Sequence, residues 1–356
     1  MAFTKRSEKT LYLNQAEGIV LPKLKALKRG DVIRLSQQFQ RLLRGLLNVS
    51  NTEFLGSSQN ATSSLIYSLL PILQNRQDFQ IFISAHEIKW FKTLFTAGRL
   101  PVKETTYPNY APQKKINFIK KKVTVFDPYL FIKNPRSFVN QKIPAIVILS
   151  HVSRLTGELF VTPGVYRKIK ALNKANILVV DGSQAVGAMR VDPHIISDIY
   201  IGVTSKFINA EPHISFYWVS QQIADTYGII SRSINPRLFF REIYSAVNNL
   251  KILQKNTHNV HAIRKYFETK LKEYKINFLK YKYQQDHIIL IPEKRSKLGS
   301  IIKKLKRQGI IISPNTSYSI QEPKDPALRI SITPRLKISD INYFVDKMAQ
   351  IKHGLR

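Results

Sequence analysis

The chain has 356 residues, of which 44% are hydrophobic, and it contains no cysteine. Its 56 lysines and arginines outnumber 23 aspartates and glutamates, which gives a formal net charge of +33. The length suits a large and a small domain, and the missing cysteines exclude disulfides, thiolate metal ligands and mechanisms in which the chain's own thiol is nucleophile or sulfur carrier. A polar start and the lack of a long apolar run predict a cytoplasmic protein without a membrane span.

The positive charge would attract anionic partners, nucleic acid among them. The basic residues are spread widely, however, and no interleaved aromatics, zinc knuckle or helix-turn-helix pattern accompanies them. A lysine-rich solvated surface is therefore favoured over a nucleic-acid-binding surface.

From about residue 33 onward, helical and strand-like patterns alternate along the chain. Helical spacing of apolar residues predicts helices in VIRLSQQFQRLLRGLL, ATSSLIYSLLPIL, IKWFKTLFTAG and PGVYRKIKALNKA. Aliphatic runs predict strands in TEFLGSS, FQIFISAHE, KVTVFD, AIVILSHV, ILVVDG, DIYIGV and ISFYWVS. Continuous aliphatic strands separated by helices indicate an α/β fold with a mostly parallel central sheet covered by helices.

The pattern changes after about residue 245. One long helix over roughly 243–274 leads into the strands INFLKY and HIILIP, the helix KLGSIIKKLKRQG, the strands IIISPN and LRISIT, and a final helix capped at Ser339. This order predicts a large domain over 15–245 and a smaller C-terminal α+β domain over 246–356, on which the segment 1–14 could pack.

Two strands end on residues that suit a ligand site. Asp181 closes the strand in VVDGSQAVG, and Lys206 follows the strand in IGVTSKF. Carboxyl ends of parallel strands face the crevice in which open α/β sheets bind ligands. An aspartate and a lysine there suit pyridoxal 5'-phosphate, with Lys206 forming a Schiff base and Asp181 keeping the pyridine nitrogen protonated. Each residue alone also fits a plainer role, a surface lysine or an Asx-turn aspartate.

The run VVDGSQAVGAMRVDPHIISDIYIGVTSKF resembles the aminotransferase class V (cysteine desulfurase-like) family of fold-type I pyridoxal phosphate enzymes. That family typically reads D-G-A-Q-A-V-G and later S-x-H-K-F. Further segments resemble it in the family's order: LYLNQAEGIVLP, FLGSSQNATSSLI, SAHEIKW, ILSHVSRLTGEL, SRSINP and LRISITPRLKISDINYFV. The resemblance covers nearly the whole chain and implies the fold of the type I transferases.

Residue roles follow from the resemblance. It implies that Lys206, Asp181 and His86 are catalytic, with His86 stacking on the pyridine ring. Gln184 would bond the phenolic oxygen, Ser58 and Gln59 would lie at the phosphate-binding turn, and Arg329 would clamp the substrate carboxylate. No metal site is predicted.

The sequence also departs from the family pattern. Arg154 replaces an asparagine near the expected phenolic oxygen, and Ser205 replaces the histidine before the lysine. Val203 stands where a phosphate-binding serine is usual, and Ile234 and Asn235 replace the Gly-Thr pair that reaches the neighbouring subunit's phosphate. Arg154, Ser205 and Asn235 are retained as candidate cofactor contacts.

The resemblance implies a homodimer that acts on an amino acid. Because no cysteine is present, a standard cysteine desulfurase is excluded. An aminotransferase-like enzyme is the favoured interpretation, a pyridoxal phosphate-dependent lyase is the first alternative, and a catalytically degenerate family member acting as a basic binding protein is the second.

Overall fold

The computed structural model of the chain describes residues 11–12, 29–76, 78–87, 89–97, 121–208, 210, 214–230, 239–256, 260–315, 319–333 and 336–353. The helices are α1 (Arg29–Leu47), α2 (Ala61–Asn75), α3 (Lys89–Ala97), α4 (Pro128–Lys133), α5 (Pro163–Leu172), α6 (Gln221–Tyr227), α7 (Phe240–Asn256), α8 (Val260–Glu273), α9 (Arg295–Arg307) and α10 (Ile338–His353). The strands are β1 (Leu11–Tyr12), β2 (Phe54–Ser58), β3 (Gln80–Ser84), β4 (Val123–Phe126), β5 (Ala145–Ser150), β6 (Ile177–Asp181), β7 (Ile199–Val203), β8 (Ser215–Val219), β9 (Ile288–Pro292), β10 (Ile310–Ile311), β11 (Ser313–Pro314) and β12 (Ala327–Ser331).

Within the described residues, the central sheet has seven strands in the order β2-β8-β7-β6-β5-β3-β4. The pairings from β7 through β4 are parallel, whereas β8 runs antiparallel to both β7 and β2. The mostly parallel sheet predicted from the aliphatic runs is therefore confirmed.

Side chains that alternate along each strand supply two separate cores. On β5, Val147 and Leu149 pack with residues of α1, α5 and α7, while Ile146 and Ile148 pack on the other face with residues of α2 and α3. A strand that is apolar at every position can bury both of its faces in this way. Helices on both sides of the sheet thus hold the strand ends in place.

Helix starts in the large sheet region follow local capping rules. Asn60 precedes α2 and its side chain accepts a hydrogen bond from the amide of Ser63 at 2.9 Å. Thr162 does the same for the amide of Val165 at the start of α5, whose first residue is Pro163. Short polar caps and an initial proline satisfy or remove amide donors that have no partner inside a helix.

The C-terminal part contains a second, antiparallel sheet. Its strands lie in the order β11-β12-β9, and β12 and β9 share a core cluster with α8, α9 and α10. Strand β1 pairs with β10 in parallel, so residues near the N-terminus lie against this part of the protein. The division at residues 245 and 246 falls inside α7, which packs with the large sheet's core, and the domain boundary stays a prediction.

The region predicted as one helix over 243–274 contains α7 and α8. Residues 257–259 between them lie outside the described residues, so a single continuous helix stays a prediction. The last helix begins at Ile338, so Ser339, predicted as its cap, lies inside the helix, and the carboxylate of Asp340 accepts a hydrogen bond from the amide of Lys337 at 3.1 Å. Among the described helices, none combines the length and the apolar character that crossing a bilayer requires.

Candidate active site

A cavity of about 140 Å³ lies at the carboxyl edge of the parallel strands. Asp181 ends β6 and is paired in register with Ser150, which ends β5. Lys206 follows the end of β7, the other neighbour of β6. Residues that line the cavity are Ala61, His86, Glu87, Ser150, Arg154, Asp181, Ser183, Gln184, Val203, Ser205 and Lys206. The parallel register therefore brings six of the predicted site residues together.

Asp181 is one of two carboxylates that line this cavity. It is 8% exposed, and its Oδ1 accepts a hydrogen bond from the amide of Ser183 at 2.8 Å. Burial raises the pKa of Asp181, while the bonds from Ser183 and the charges of Arg154 and Lys206 act in the opposite direction. Because desolvation disfavours a lone carboxylate, a cationic ligand at Asp181 would be stabilised together with the ionised carboxylate.

Next to Asp181, the backbone at Gly182 passes so close to the ring of Tyr200 that a side chain has no room there. A methyl group built on Gly182 would lie 2.1 Å from the ring of Tyr200. That ring is fully buried, and its hydroxyl lies 2.9 Å from Nδ1 of His151. The Tyr200 ring therefore cannot move aside without breaking a buried hydrogen bond.

We expect Gly182→Ala to lower the free energy of unfolding by about 3 kcal/mol, because overpacking of a filled core forces side chains and backbone apart. Urea denaturation measures the change. Gly299→Ala is the matched control: no atom lies within 4 Å of the added methyl group, and loss of a helical glycine should stabilise α9 by about 0.5–1 kcal/mol. Equal effects at the two glycines would contradict the packing argument.

Lys206 has an amine whose proton affinity is strongly reduced. Burial, followed by the positive charges of Arg154 and Arg329, lowers the pKa of Lys206 to about 7, and Asp181 only partly offsets this. At neutral pH about half of these amines carry no proton. A neutral lysine amine is the form that attacks carbonyl carbon, so the pocket prepares Lys206 for covalent chemistry.

His86 lies between the cavity and a group of aromatic rings. Its Nδ1 is 2.9 Å from the hydroxyl of Ser153, and its ring contacts Phe160 and the edge of Tyr129 at centroid distances of 5.2 and 5.6 Å. Burial lowers the pKa of His86 to about 4, although the charge of Asp127 acts to raise it. The imidazole is therefore neutral at physiological pH.

Gln184 and Arg329 form a buried pair. The guanidinium Nη2 of Arg329 donates to Oε1 of Gln184, and the backbone carbonyl of Gln184 accepts from Nε2 of His287 at 2.7 Å. Burial and the charge of Arg154 lower the pKa of Arg329 to about 9. Arg329 does not itself line the cavity, whereas Gln184 does. Gln184 thus connects the cavity to the buried cation.

The turn after β2 differs in detail from the predicted phosphate site. The hydroxyl of Ser58 is buried and lies within 2.9 Å of the hydroxyls of Ser64 and Ser215. Neither Ser58 nor Gln59 lines the cavity, but Ala61, the first residue of α2, does. Asn235 and Ile234 lie outside the described residues. The assignment of the phosphate-binding turn stays a prediction.

The three remaining departures from the family pattern all line the cavity: Arg154, Val203 and Ser205. Arg154 is the most consequential of them because its charge acts on three groups at once. It opposes protonation of Asp181 and lowers the proton affinity of both Lys206 and Arg329.

The sequence analysis missed two polar residues of the cavity. Glu87 is 1% exposed and accepts a hydrogen bond from the hydroxyl of Ser150. Ser183 is also buried, and its hydroxyl has no hydrogen-bond partner among the described residues. The signal for Ser183 was visible, since it stands where the family motif D-G-A-Q has alanine. No local pattern marked Glu87, because an acidic residue after a strand is ordinary.

No protein-family model matches the chain, and no curated protein matches it in sequence. Solved structures do match. A ureidoglycine–glyoxylate aminotransferase from Bacillus subtilis shares 12% identity and a TM-score of 0.69, covering 98% of this chain and 95% of its own. A cysteine desulfurase from Thermococcus onnurineus NA1 is 12% identical in sequence and matches with a TM-score of 0.70; the match covers 97% of this chain and 95% of the desulfurase. An alanine–glyoxylate aminotransferase from Nostoc sp. is 11% identical in sequence and matches with a TM-score of 0.68; the match covers 99% of this chain and 97% of the aminotransferase.

Such low identities establish the architecture and nothing finer. The matches nevertheless extend over almost the full length of both partners. They also include the two enzyme types, aminotransferase and cysteine desulfurase, that the sequence motifs resemble. The chain therefore has the fold that these aminotransferases and this cysteine desulfurase share, which confirms the fold implied by the motifs.

Proposed function

We propose that the protein is a pyridoxal 5'-phosphate-dependent enzyme that acts on an amino acid, most closely in the manner of an aminotransferase. The observation that carries the proposal is the pairing of Asp181 and Lys206 at the ends of adjacent parallel strands in one cavity. The carboxylate suits a pyridinium nitrogen, and the amine, with its pKa lowered to about 7, suits an aldehyde carbon.

The residues present fit this cofactor on three further grounds. The buried hydroxyl of Ser183 has no partner among the described residues, so the cavity wall contains a polar group that a ligand would satisfy. His86 provides a flat, neutral ring in the cavity wall. The first turn of α2, where Ala61 lines the cavity, offers the positive end of a 15-residue helix to a phosphate group.

Each residue then has a definite task. Lys206 would hold the cofactor through Nζ and, once displaced by the substrate amine, would move the α-proton at the same atom. Asp181 would keep the ring nitrogen protonated, and His86 would hold the ring plane. The bound cofactor supplies an electron sink for the negative charge left on the α-carbon.

Arg329 would bind the substrate carboxylate in a two-pronged contact. In the structure its Nη2 is already bonded to Gln184. A carboxylate bound at Nη2 would replace the amide oxygen of Gln184 and free Gln184 to bond the ligand, whereas Nε of Arg329 has no partner among the described residues.

The products that the protein forms distinguish an aminotransferase from a lyase. After addition of pyridoxal phosphate, a panel of amino acids is assayed with a 2-oxo acid acceptor for new amino acid, free ammonia and sulfide. An aminotransferase transfers the amino group to the acceptor without releasing ammonia, whereas a lyase releases ammonia or sulfide without an acceptor. Since the chain has no cysteine, persulfide formation on the protein is not an expected product.

The proposal fails if the protein takes up no pyridoxal phosphate. A basic binding protein would then be the better interpretation, tested by a nucleic-acid gel shift that persists at physiological salt. The homodimer and the cytoplasmic location belong to the same proposal, and sedimentation of the purified protein tests the dimer.

Ser183→Ala should weaken pyridoxal phosphate binding about fivefold, because the ligand loses one hydrogen bond. The same change should not lower the stability of the protein without cofactor, since the hydroxyl has no partner there among the described residues. Fluorescence titration and urea denaturation measure the two effects. Ser64→Ala is the control: this hydroxyl is buried and bonded to Ser215 at 2.8 Å, so its loss should cost about 1 kcal/mol of stability. If Ser183→Ala binds pyridoxal phosphate as tightly as the wild type, the hydroxyl of Ser183 does not contact the cofactor.

A further inference from the structure

The hydroxyl of Ser153 contacts one ring nitrogen of His86 and two backbone amides. Its Oγ is 3.1 Å from the amide nitrogens of both Leu155 and Thr156, and 2.9 Å from Nδ1 of His86. A serine hydroxyl has two lone pairs and one proton. The two amides can only donate, so they occupy both lone pairs. The proton of Ser153 is therefore left for His86, whose Nδ1 must accept it.

A neutral imidazole that accepts at Nδ1 carries its proton on Nε2. We infer that Ser153 holds His86, which lines the cavity, in the Nε2–H tautomer, so that Nε2 is a hydrogen-bond donor and not a base. Ser153 is fully buried, and the turn that supplies the two amides follows directly after it. The tautomer is thus set by a backbone turn, through one hydroxyl.

The surroundings of the ring support a donor role for Nε2. Phe160 and Tyr129 contact the ring and hold its orientation. Within the described residues, Nε2 has no hydrogen-bond partner, and His86 lines the cavity. An acceptor atom on the ligand is the group that this nitrogen would bind. In the proposed reaction, on which this last step rests, the α-proton is then taken by Lys206 and not by His86.

The tautomer can be measured without cofactor. In protein labelled with ¹⁵N at histidine only, two-bond proton–nitrogen correlation spectra separate protonated from unprotonated ring nitrogens, and His86→Gln identifies the signals of His86 among the eight histidines. We expect a protonated Nε2 and an unprotonated Nδ1 at neutral pH. A protonated Nδ1, or an average of the two forms, would overturn the inference. Because no pyridoxal phosphate is present, failure of the proposed cofactor leaves this result unaffected.

Variants of Ser153 test its role in positioning the ring. Ser153→Thr keeps the hydroxyl and should preserve the wild-type pattern, whereas Ser153→Ala should give exchange between both tautomers. A wild-type pattern in Ser153→Ala would show that another group sets the tautomer and would refute the role of Ser153. Near-ultraviolet circular dichroism checks that each variant is folded, and if Ser153→Ala is not, the wild-type spectrum still decides whether His86 is the Nε2–H tautomer.

Discussion

Lys206→Ala is expected to abolish the visible absorption band that the wild-type protein acquires when pyridoxal phosphate is added. The band requires a Schiff base, and in the cavity the amine of Lys206, with its pKa lowered to about 7, is the group prepared to form one. Titration followed by absorbance measures the effect, and the loss should be complete. Noncovalent binding through Asp181, Ser183 and His86 should persist at reduced affinity.

Borohydride reduction provides the decisive control for this prediction. In the wild type it should remove the band and leave the cofactor covalently attached to the peptide that contains Lys206, as seen by mass spectrometry. Lys303→Ala, a change on the exposed face of α9, should leave band and attachment intact. Persistence of the band in Lys206→Ala, or attachment chiefly at surface lysines, would contradict the assignment of Lys206 and with it the proposed function.

The positions of Asp181 and Lys206 could be anticipated from sequence because they depend on a local regularity. Each lies at or just after the end of an apolar run that predicts a buried strand, and neighbouring parallel strands end at the same edge of a sheet. The structure pairs β6 with β7 in parallel. Two residues that are 25 positions apart by their numbers thus come to line one cavity.

Other contacts depend on pairing that no local pattern specifies. Phe54–Ser58 reads as a strand, and it is one, but its antiparallel partner is β8. That pairing places Ser215 opposite Ser58 and directs the serine hydroxyls toward each other. The bond between Arg329 and Gln184 likewise spans 145 positions. The first contact follows from the order of strands within one sheet and the second from the packing of the C-terminal part against the large sheet, and sequence periodicity carries no information about either.

Arg154→Asn is expected to raise the pKa of Lys206. Burial is the main cause that lowers the pKa of Lys206 to about 7, and the positive charge of Arg154 is the second cause. Removal of a nearby like charge favours the protonated amine. If the pKa rises by about one unit, the neutral fraction of Lys206 at pH 7 falls from about half to roughly a tenth. The reaction of the amine with an acylating reagent should slow about fivefold at that pH.

The pH dependence of Lys206 acylation in the protein without cofactor measures this pKa directly, with the modified peptide quantified by mass spectrometry. Arg154→Lys keeps the positive charge and should leave the midpoint unchanged. Asp181→Asn should move the midpoint in the opposite direction, because the carboxylate raises the pKa of Lys206. The same midpoint in wild type and Arg154→Asn would show that burial alone tunes the amine.

Arg154→Asn should raise the pKa of Lys206, and Asp181→Asn should lower it. These opposite effects give Arg154 a physical role that the asparagine usual at this position in the resembled family does not have. A neutral asparagine could bond a phenolic oxygen but could not alter the charge state of the neighbouring amine. Arg154 keeps more of Lys206 in its neutral form at pH 7, the form that attacks carbonyl carbon. If the variants behave as expected, the departure at Arg154 is a retuning of the nucleophile, and it does not indicate a decayed site.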